Sequence, residues 1–242
     1  MGETDVDVSS QEFWDQRYRG GPLFSGHPNP WLVHHASALP PGTALDVGCG
    51  EGADSLWLAA RGWHVTGVDI SPVALARAAR LAEDAGAEVV ARTSWQQADA
   101  LHLEPSQARF DLVSAQYLHL PAPGMAELHR RLAAAVRPGG TLLLVLHEPP
   151  RPGSERPDVP ADVFATAEEM AAGLDPAAWT VHAGRHARPV ADPPHPAGHT
   201  HDVVLHAVRR VVDPARDHST ATADRPPGSY WSMDEARWVL PA

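Results

Sequence analysis

Gly48, Gly50 and Gly52 fall within five residues of the stretch "ALDVGCGEGADSLWLAARG", residues 44–62. An apolar run precedes them and an apolar helical pattern follows. A strand, a glycine turn and a helix in that order make a nucleotide-type site. The bare backbone lets a ligand approach, and the first N–H groups of the helix lack intrahelical partners. Such a unit buries its faces only within a larger sheet, and the rest of the chain supplies one.

Residues 52–61 read as the first helix after the turn, with Gly62 as its stop. "WHVTGVDI" is a second strand. "SPVALARAARLAEDAG" is a helix N-capped by Ser71, with Pro72 at its first position and Gly86 beyond its end. "EVVARTS" reads as a third strand and "FDLVSAQ" as a fourth. "GMAELHRRLAAAVRPGG" is a helix stopped by Pro138 and Gly139, and "TLLLVLH" is the continuous apolar run of a buried parallel strand. This alternation predicts an α/β fold, a parallel sheet covered on both faces. Thr166 and Glu169 form a capping box for "TAEEMAAGL". The strands "WTVHAGRHAR" and "HDVVLHAVRR" are joined by a Pro-rich segment too short for a crossover helix, so they should pair antiparallel. Three segments are expected. Residues 1–42 form an N-terminal helical cap with short helices at 13–19 and 31–39. Residues 43–210 form the domain. Residues 211–242 form an extension too short for a core of its own.

The formal charge of −11 argues against a phosphate backbone as partner and favours a small molecule over nucleic acid. No apolar run approaches the roughly 18 residues that span a membrane. Residues 1–20 carry neither a basic nor an apolar leader pattern, and the single cysteine, Cys49, forms no internal disulfide. A cytoplasmic location is therefore expected.

Two ligands compete for the glycine turn. "GCGEGA" matches the G-x-G-x-x-A dinucleotide fingerprint, and Asp69 follows about 20 positions on, where an acid holds ribose hydroxyls. That reading gives an NAD-dependent oxidoreductase. Asp46 at the first strand's end argues the other way, because a carboxylate there repels a pyrophosphate and attracts an ammonium. S-adenosylmethionine carries an ammonium and no phosphate. "LDVGCGEG", "VTGVDIS", "QADAL", "FDLVSAQYLHLP" and "RPGGTLLLV" together resemble the class I S-adenosylmethionine-dependent methyltransferases. "FWDQRY" and "SGHPNP" resemble the tellurite-resistance and thiol methyltransferase subgroup, which acts on small molecules.

The resemblance implies a doubly wound, Rossmann-like seven-stranded sheet of order 3-2-1-4-5-7-6 with strand 7 antiparallel. It implies S-adenosyl-L-methionine as cofactor. Asp46, Gly48, Cys49 and Gly50 match the motif at its methionine end, Asp69 and Ile70 the ribose and adenine contacts, Asp99 and Ala100 the adenine edge, and Gln116 the loop beside the sulfonium. A binding protein that keeps the fold without turnover is a further alternative.

Methyl transfer from a sulfonium is an in-line displacement in which the protein chiefly aligns the acceptor and excludes water. A base is needed only where the acceptor must lose a proton, so sulfur, oxygen and nitrogen all stay open. His119, Tyr117 and His147 stand at the carboxyl ends of the fourth and fifth strands, where ligands gather, and are the candidate catalytic residues. Trp14, Tyr18 and Trp31 are candidates for an aromatic cover over sulfonium or acceptor. His195, His199, His201 and His206 raise a metal reading. With 15 histidines in the chain and no cysteine or carboxylate pair beside this group, no metal is expected.

Overall fold

The computed structural model describes residues 9–103, 109–148, 163–188, 200–211, 230–232 and 237–239. The chain divides into two compact units, Met1–Val211 and Val212–Ala242. In the second unit, β8 (Tyr230–Ser232) pairs antiparallel with β9 (Arg237–Val239).

The first unit runs α1 (Gln11–Arg19), α2 (Pro30–Ala36), β1 (Thr43–Val47), α3 (Ala53–Ala59), β2 (His64–Asp69), α4 (Pro72–Ala85), α5 (Ala87–Val90), β3 (Thr93–Gln97), β4 (Phe110–Gln116), α6 (Ala122–Ala135), β5 (Val136–His147), α7 (Ala167–Ala172), β6 (Trp179–Ala187) and β7 (His201–Arg209). The sheet order is β3-β2-β1-β4-β5-β7-β6. The first five strands pair parallel, while β7 runs antiparallel to both β5 and β6. Fold class, strand order and the antiparallel close all agree with the expectation from sequence.

Local chemistry explains the elements. Ser71 caps α4 by accepting from Ala74 N, and the Thr166–Glu169 capping box opens α7. Alternate residues of the central strands face opposite sides. Leu142, Leu144 and Leu146 pack with Leu128 and Leu132 of α6 and Met170 of α7. Leu143 and Val145 pack with Leu32 of α2, Leu58 of α3 and Trp63. Trp63 is only 1% exposed.

Two segments differ from the sequence reading. Residues 88–90 of "EVVARTS" belong to the helical turn α5 (Ala87–Val90), not to a strand. Val89 is buried while Val90 is 44% exposed, and Ala91 N bonds back to Ala87 O, so the strand starts only at Thr93. The helix expected to run to Pro138 stops at Ala135, and Val136–Gly140 belong to β5. Pro138 cannot donate to a helical ladder, and the pairing with β4 slips its register between Phe110 and Leu112.

Beside Leu32, α2 meets the β6–β7 hairpin through histidines. His35 stacks on His206 at 4.6 Å, His34 and His182 flank them, and His186 lies 5.2 Å from Trp31. Burial, and secondarily the neighbouring imidazoles, lower the His35 pKa to about 3 and that of His206 to about 4.

Candidate cofactor and acceptor site

The glycine turn stands at the carboxyl end of β1. Gly48, Gly50 and Gly52 have φ of 72°, 53° and 84°, the left-handed region that disfavours side chains. Gly48 N and Cys49 N donate to Val68 O at 2.8 and 3.0 Å, which ties the turn to β2. Asp69 ends β2, and its two oxygens accept from Gly50 N and Ser71 N, each at 2.8 Å. A carboxylate has about four acceptor positions, so Asp69 keeps capacity for ligand hydroxyls. A Cβ at Gly50 would lie 2.8 Å from the Tyr18 hydroxyl, so α1 borders this turn closely. Ser71 Oγ donates to Asp15 Oδ1 at 2.6 Å and holds α1 against α4.

The turn is rich in negative charge. Asp46 is 2% exposed and accepts a 2.6 Å bond from Ser55 Oγ at the start of α3. Burial pushes its pKa up, the Ser55 bond opposes, and Asp69 adds repulsion. Burial likewise raises Asp69 and Asp54, the latter also repelled by Asp46. Asp54 Oδ1 accepts from Asn29 N at 2.6 Å and so anchors the segment leading into α2. Three carboxylates raised together form a site that a cation would relieve. The Cys49 thiol is pushed well above its ordinary value by burial and by Asp46 and Asp69, which makes it a poor nucleophile.

Asp99 caps the short 3₁₀ turn Ala100–His102, accepting from Leu101 N at 2.9 Å and meeting His102 Nδ1 at 2.8 Å. Ala100 packs against the core and Ile70 is half-buried. Gln116 donates to Ser114 Oγ at 2.7 Å, and its buried Oε1 has no hydrogen-bond partner among the described residues. Trp14 stands 6.2 Å from Tyr18, ring to ring. Trp31 lies elsewhere, at the ends of β4, β5 and β7.

That second place adjoins the turn through Leu118, whose side chain would be 3.5 Å from a Cβ at Gly48. Tyr117 has φ of 55°, the one described non-glycine residue with positive φ. Its ring stacks on His147 at 4.0 Å, and His119 stacks on His147 at 5.4 Å. The sequence-nominated trio is thus one contiguous stack. His119 Nδ1 meets Val163 O at 3.2 Å. Beneath the stack sits Asp202, 0% exposed, opposite His147 in the β5–β7 register. Its Oδ2 accepts from the Tyr117 hydroxyl and from Trp31 Nε1, both at 3.0 Å. Its Oδ1 lies 3.6 Å from His147 Nδ1, and Arg188 Nε lies 3.9 Å from Oδ2. Burial alone would raise the Asp202 pKa. His147, Trp31, Arg188 and Tyr117 together outweigh it and hold the carboxyl below its ordinary value.

Sequence reasoning missed Asp202, Ser55, Asp54 and Asn29. Ser55 and Asp54 follow the glycine turn in a helix's first turn, where polar side chains are routine. Asp202 heads a strand otherwise read for its apolar residues. His195 and His199 lie outside the described residues. His201 meets Glu148 at 3.6 Å while His206 stacks on His35, and no described group of three ligating side chains could hold a metal.

The strand order with its antiparallel close, the glycine turn after β1 and the acid ending β2 give the class I methyltransferase fold. Residues 44–140 match the family described as "Methyltransferase domain". It is 30% identical to the ubiquinone biosynthesis O-methyltransferase of Aeromonas salmonicida, over 57% of this chain and 58% of that one. It is 31% identical to the probable thiol methyltransferase 2 of Arabidopsis thaliana, over 58% of this chain and 64% of that one. The chain thus spans less than two thirds of these curated relatives. The crystal structure of the cyclase SpnF shares the fold, with a TM-score of 0.65 at 18% identity over 87% of this chain and 98% of that one. No described helix is long and apolar enough to cross a membrane.

Proposed function

We propose that this chain is an enzyme that binds S-adenosyl-L-methionine and transfers its methyl group to a small-molecule acceptor, in the cytoplasm and without a nucleic-acid partner. The observation that carries the reading is the glycine cradle of Gly48, Gly50 and Gly52, all at positive φ, with the buried carboxylates Asp46 and Asp69 at the ends of β1 and β2 beside it. A ligand bearing an ammonium and a sulfonium relieves that charge, whereas the pyrophosphate of NAD would add to it. The names of the similar methyltransferases from Aeromonas salmonicida and Arabidopsis thaliana support the same reading.

The residues fit the group. Asp46 and the Gly48–Gly50 backbone would hold its methionine end, and Asp69 would hold the ribose hydroxyls. Ile70, Asp99 and Ala100 would border the adenine. The Gln116 Oε1, buried without a hydrogen-bond partner among the described residues, is an acceptor for its polar groups. The bound donor supplies an activated methyl. The protein supplies alignment and the exclusion of water by the α1 aromatics Trp14 and Tyr18. The cyclase with this fold shows why fold alone does not fix the reaction.

Calorimetric titration with S-adenosylhomocysteine is expected to give micromolar binding, and titration with NAD none. Asp69→Ala should weaken S-adenosylhomocysteine roughly tenfold to a hundredfold, the value of charge-assisted hydrogen bonds of about 1.5–3 kcal/mol. Unchanged affinity in a variant that still melts cooperatively would refute the assignment of Asp69. Binding of NAD alone would restore the oxidoreductase alternative.

A further inference from the structure

Among the described buried polar atoms without a hydrogen bond, two belong to residues tied to the glycine turn: Asn29 Nδ2, a donor, and Gln116 Oε1, an acceptor. An unpaired polar atom away from water is costly, so each calls for a partner beyond the chain's own bonding. Asn29 is only 8% exposed. Its Oδ1 accepts from Trp31 N at 2.9 Å, a role that only the oxygen can fill, so the unpaired end of the amide is the nitrogen.

Bonding places both residues about Asp46. Asn29 N donates to Asp54 Oδ1 at 2.6 Å, and Leu23 N donates to Glu51 Oε2 at 3.0 Å, so the segment leading into α2 is fastened along the turn. Asp54 adjoins Ser55, whose hydroxyl donates to Asp46. Gln116 approaches from the sheet. Its Nε2 donates to Ser114 Oγ, and Ser114 stands opposite Asp46 in the β1–β4 register. The two segments converge again just beyond, where the Trp31 indole and the Tyr117 hydroxyl both donate to Asp202 Oδ2.

A buried donor and a buried acceptor near one carboxylate suit a zwitterion. The ammonium half is readily placed, between Asp46 and the Gln116 carbonyl. The carboxylate half is harder to place, because Asp46, Asp54 and Asp69 all repel it. The guanidinium of Arg77, which reaches this segment, is engaged by Glu51 Oε1 and Gly21 O. A neutral N–H donor can meet a carboxylate here without a counter-charge, and Asn29 supplies one.

Resting on the cofactor reading above, we infer that the Asn29 side-chain amide holds the α-carboxylate of S-adenosylmethionine while Gln116 Oε1 and Asp46 take its ammonium, so that the site selects ligands with an intact α-amino-acid end. Both unpaired atoms are closed to water. A ligand therefore meets them by wedging the segment 20–29 away from the turn, and the bonds it forms are dry and correspondingly strong. Asn29 thereby has two jobs at once, capping α2 through its oxygen and reading the ligand through its nitrogen.

The test titrates the full chain calorimetrically with S-adenosylhomocysteine and with adenosylthiopropylamine, the same molecule lacking only its carboxylate. The parent is expected to prefer S-adenosylhomocysteine. Asn29→Ser keeps an N-cap oxygen for α2 and removes the amide donor. It should weaken S-adenosylhomocysteine roughly tenfold to a hundredfold, the value of a hydrogen bond to a charged group, and leave adenosylthiopropylamine unchanged. Gln116→Met should weaken both ligands alike, because both keep the ammonium. The ratio of the two affinities within one variant decides the matter, since a merely loosened site lowers both together. Equal loss of both ligands in Asn29→Ser, loss of neither, a parent that binds both equally, or an unchanged analogue in Gln116→Met overturns the inference while the methyltransferase reading stands. A parent chain that does not bind S-adenosylhomocysteine would defeat that underlying reading itself.

Discussion

Trp63→Ala should lower the unfolding free energy by about 3–5 kcal/mol, the cost of deleting a large aromatic from a packed interior. Trp63 precedes β2 and is 1% exposed, in a cluster with Leu58 of α3, Val65 of β2 and Leu112 of β4. Its backbone N–H bonds to Leu58 O at 3.2 Å, so the residue fixes how α3 returns to the sheet. The helix it positions carries Ser55 and Asp54, and loss of the ring should therefore also loosen the glycine turn. Urea unfolding measures the first effect and S-adenosylhomocysteine titration the second. Val90→Ala is the control, since Val90 is 44% exposed and its truncation should stay within about 0.5 kcal/mol. A loss below about 1 kcal/mol for Trp63→Ala would mean that the cavity collapses.

The largest pH effect should come from the histidines between α2 and the β6–β7 hairpin. His35, His206 and His186 are all held below their ordinary value of 6.5, first by burial and then by one another and by His34 and His182. Above pH 6.5 folded and unfolded chains alike carry them neutral, and they give no pH dependence. Below it the unfolded chain binds protons that the folded chain refuses, so stability falls as pH drops from about 6.5 toward about 4 and 3. A depression to about 4 is worth on the order of 3 kcal/mol for His206 alone. The raised carboxylates Asp46 and Asp69 act with the opposite sign, because the folded chain holds their protons more tightly as pH falls. The two effects separate by substitution. The double variant His35→Phe, His206→Leu should have a flatter acid limb than the parent in urea unfolding between neutrality and pH 4. An identical slope in both proteins would dismiss the cluster as the cause.

The order of the sheet was legible because each strand and helix announces itself locally. The Ser71 and Thr166 caps, the apolar run of β5 and the short link before β7 are statements about neighbouring residues, and the structure agrees with each. The segment 88–90 reads as strand for the same reason, although it is helical. Adjacent valines favour a strand locally, but only Val89 finds a core to enter. The glycine turn with Asp46 and Asp69 was equally visible, since its residues lie within one strand-turn-helix-strand unit. Asp202 was not. Its partners Trp31 and Tyr117 are 171 and 85 residues away, and no local pattern pairs them. His206, grouped in sequence with His195, His199 and His201, finds its stacking partner in His35 on a helix near the other end of the unit. What stayed hidden is what tertiary register creates.

The half-buried thiol of Cys49 has a practical consequence. It is the chain's single cysteine, its sulfur would be 3.1 Å from a Cβ at Gly67 of β2, and Asp46 and Asp69 disfavour its thiolate. An alkylating reagent needs the thiolate, which that setting suppresses. Labelling of the native chain should therefore be slow, and its rate reports the surroundings of the turn. The protein thus carries a native reporter on its own ligand cradle, readable by mass spectrometry without introducing a probe, and a ligand that rests on the turn should change its rate.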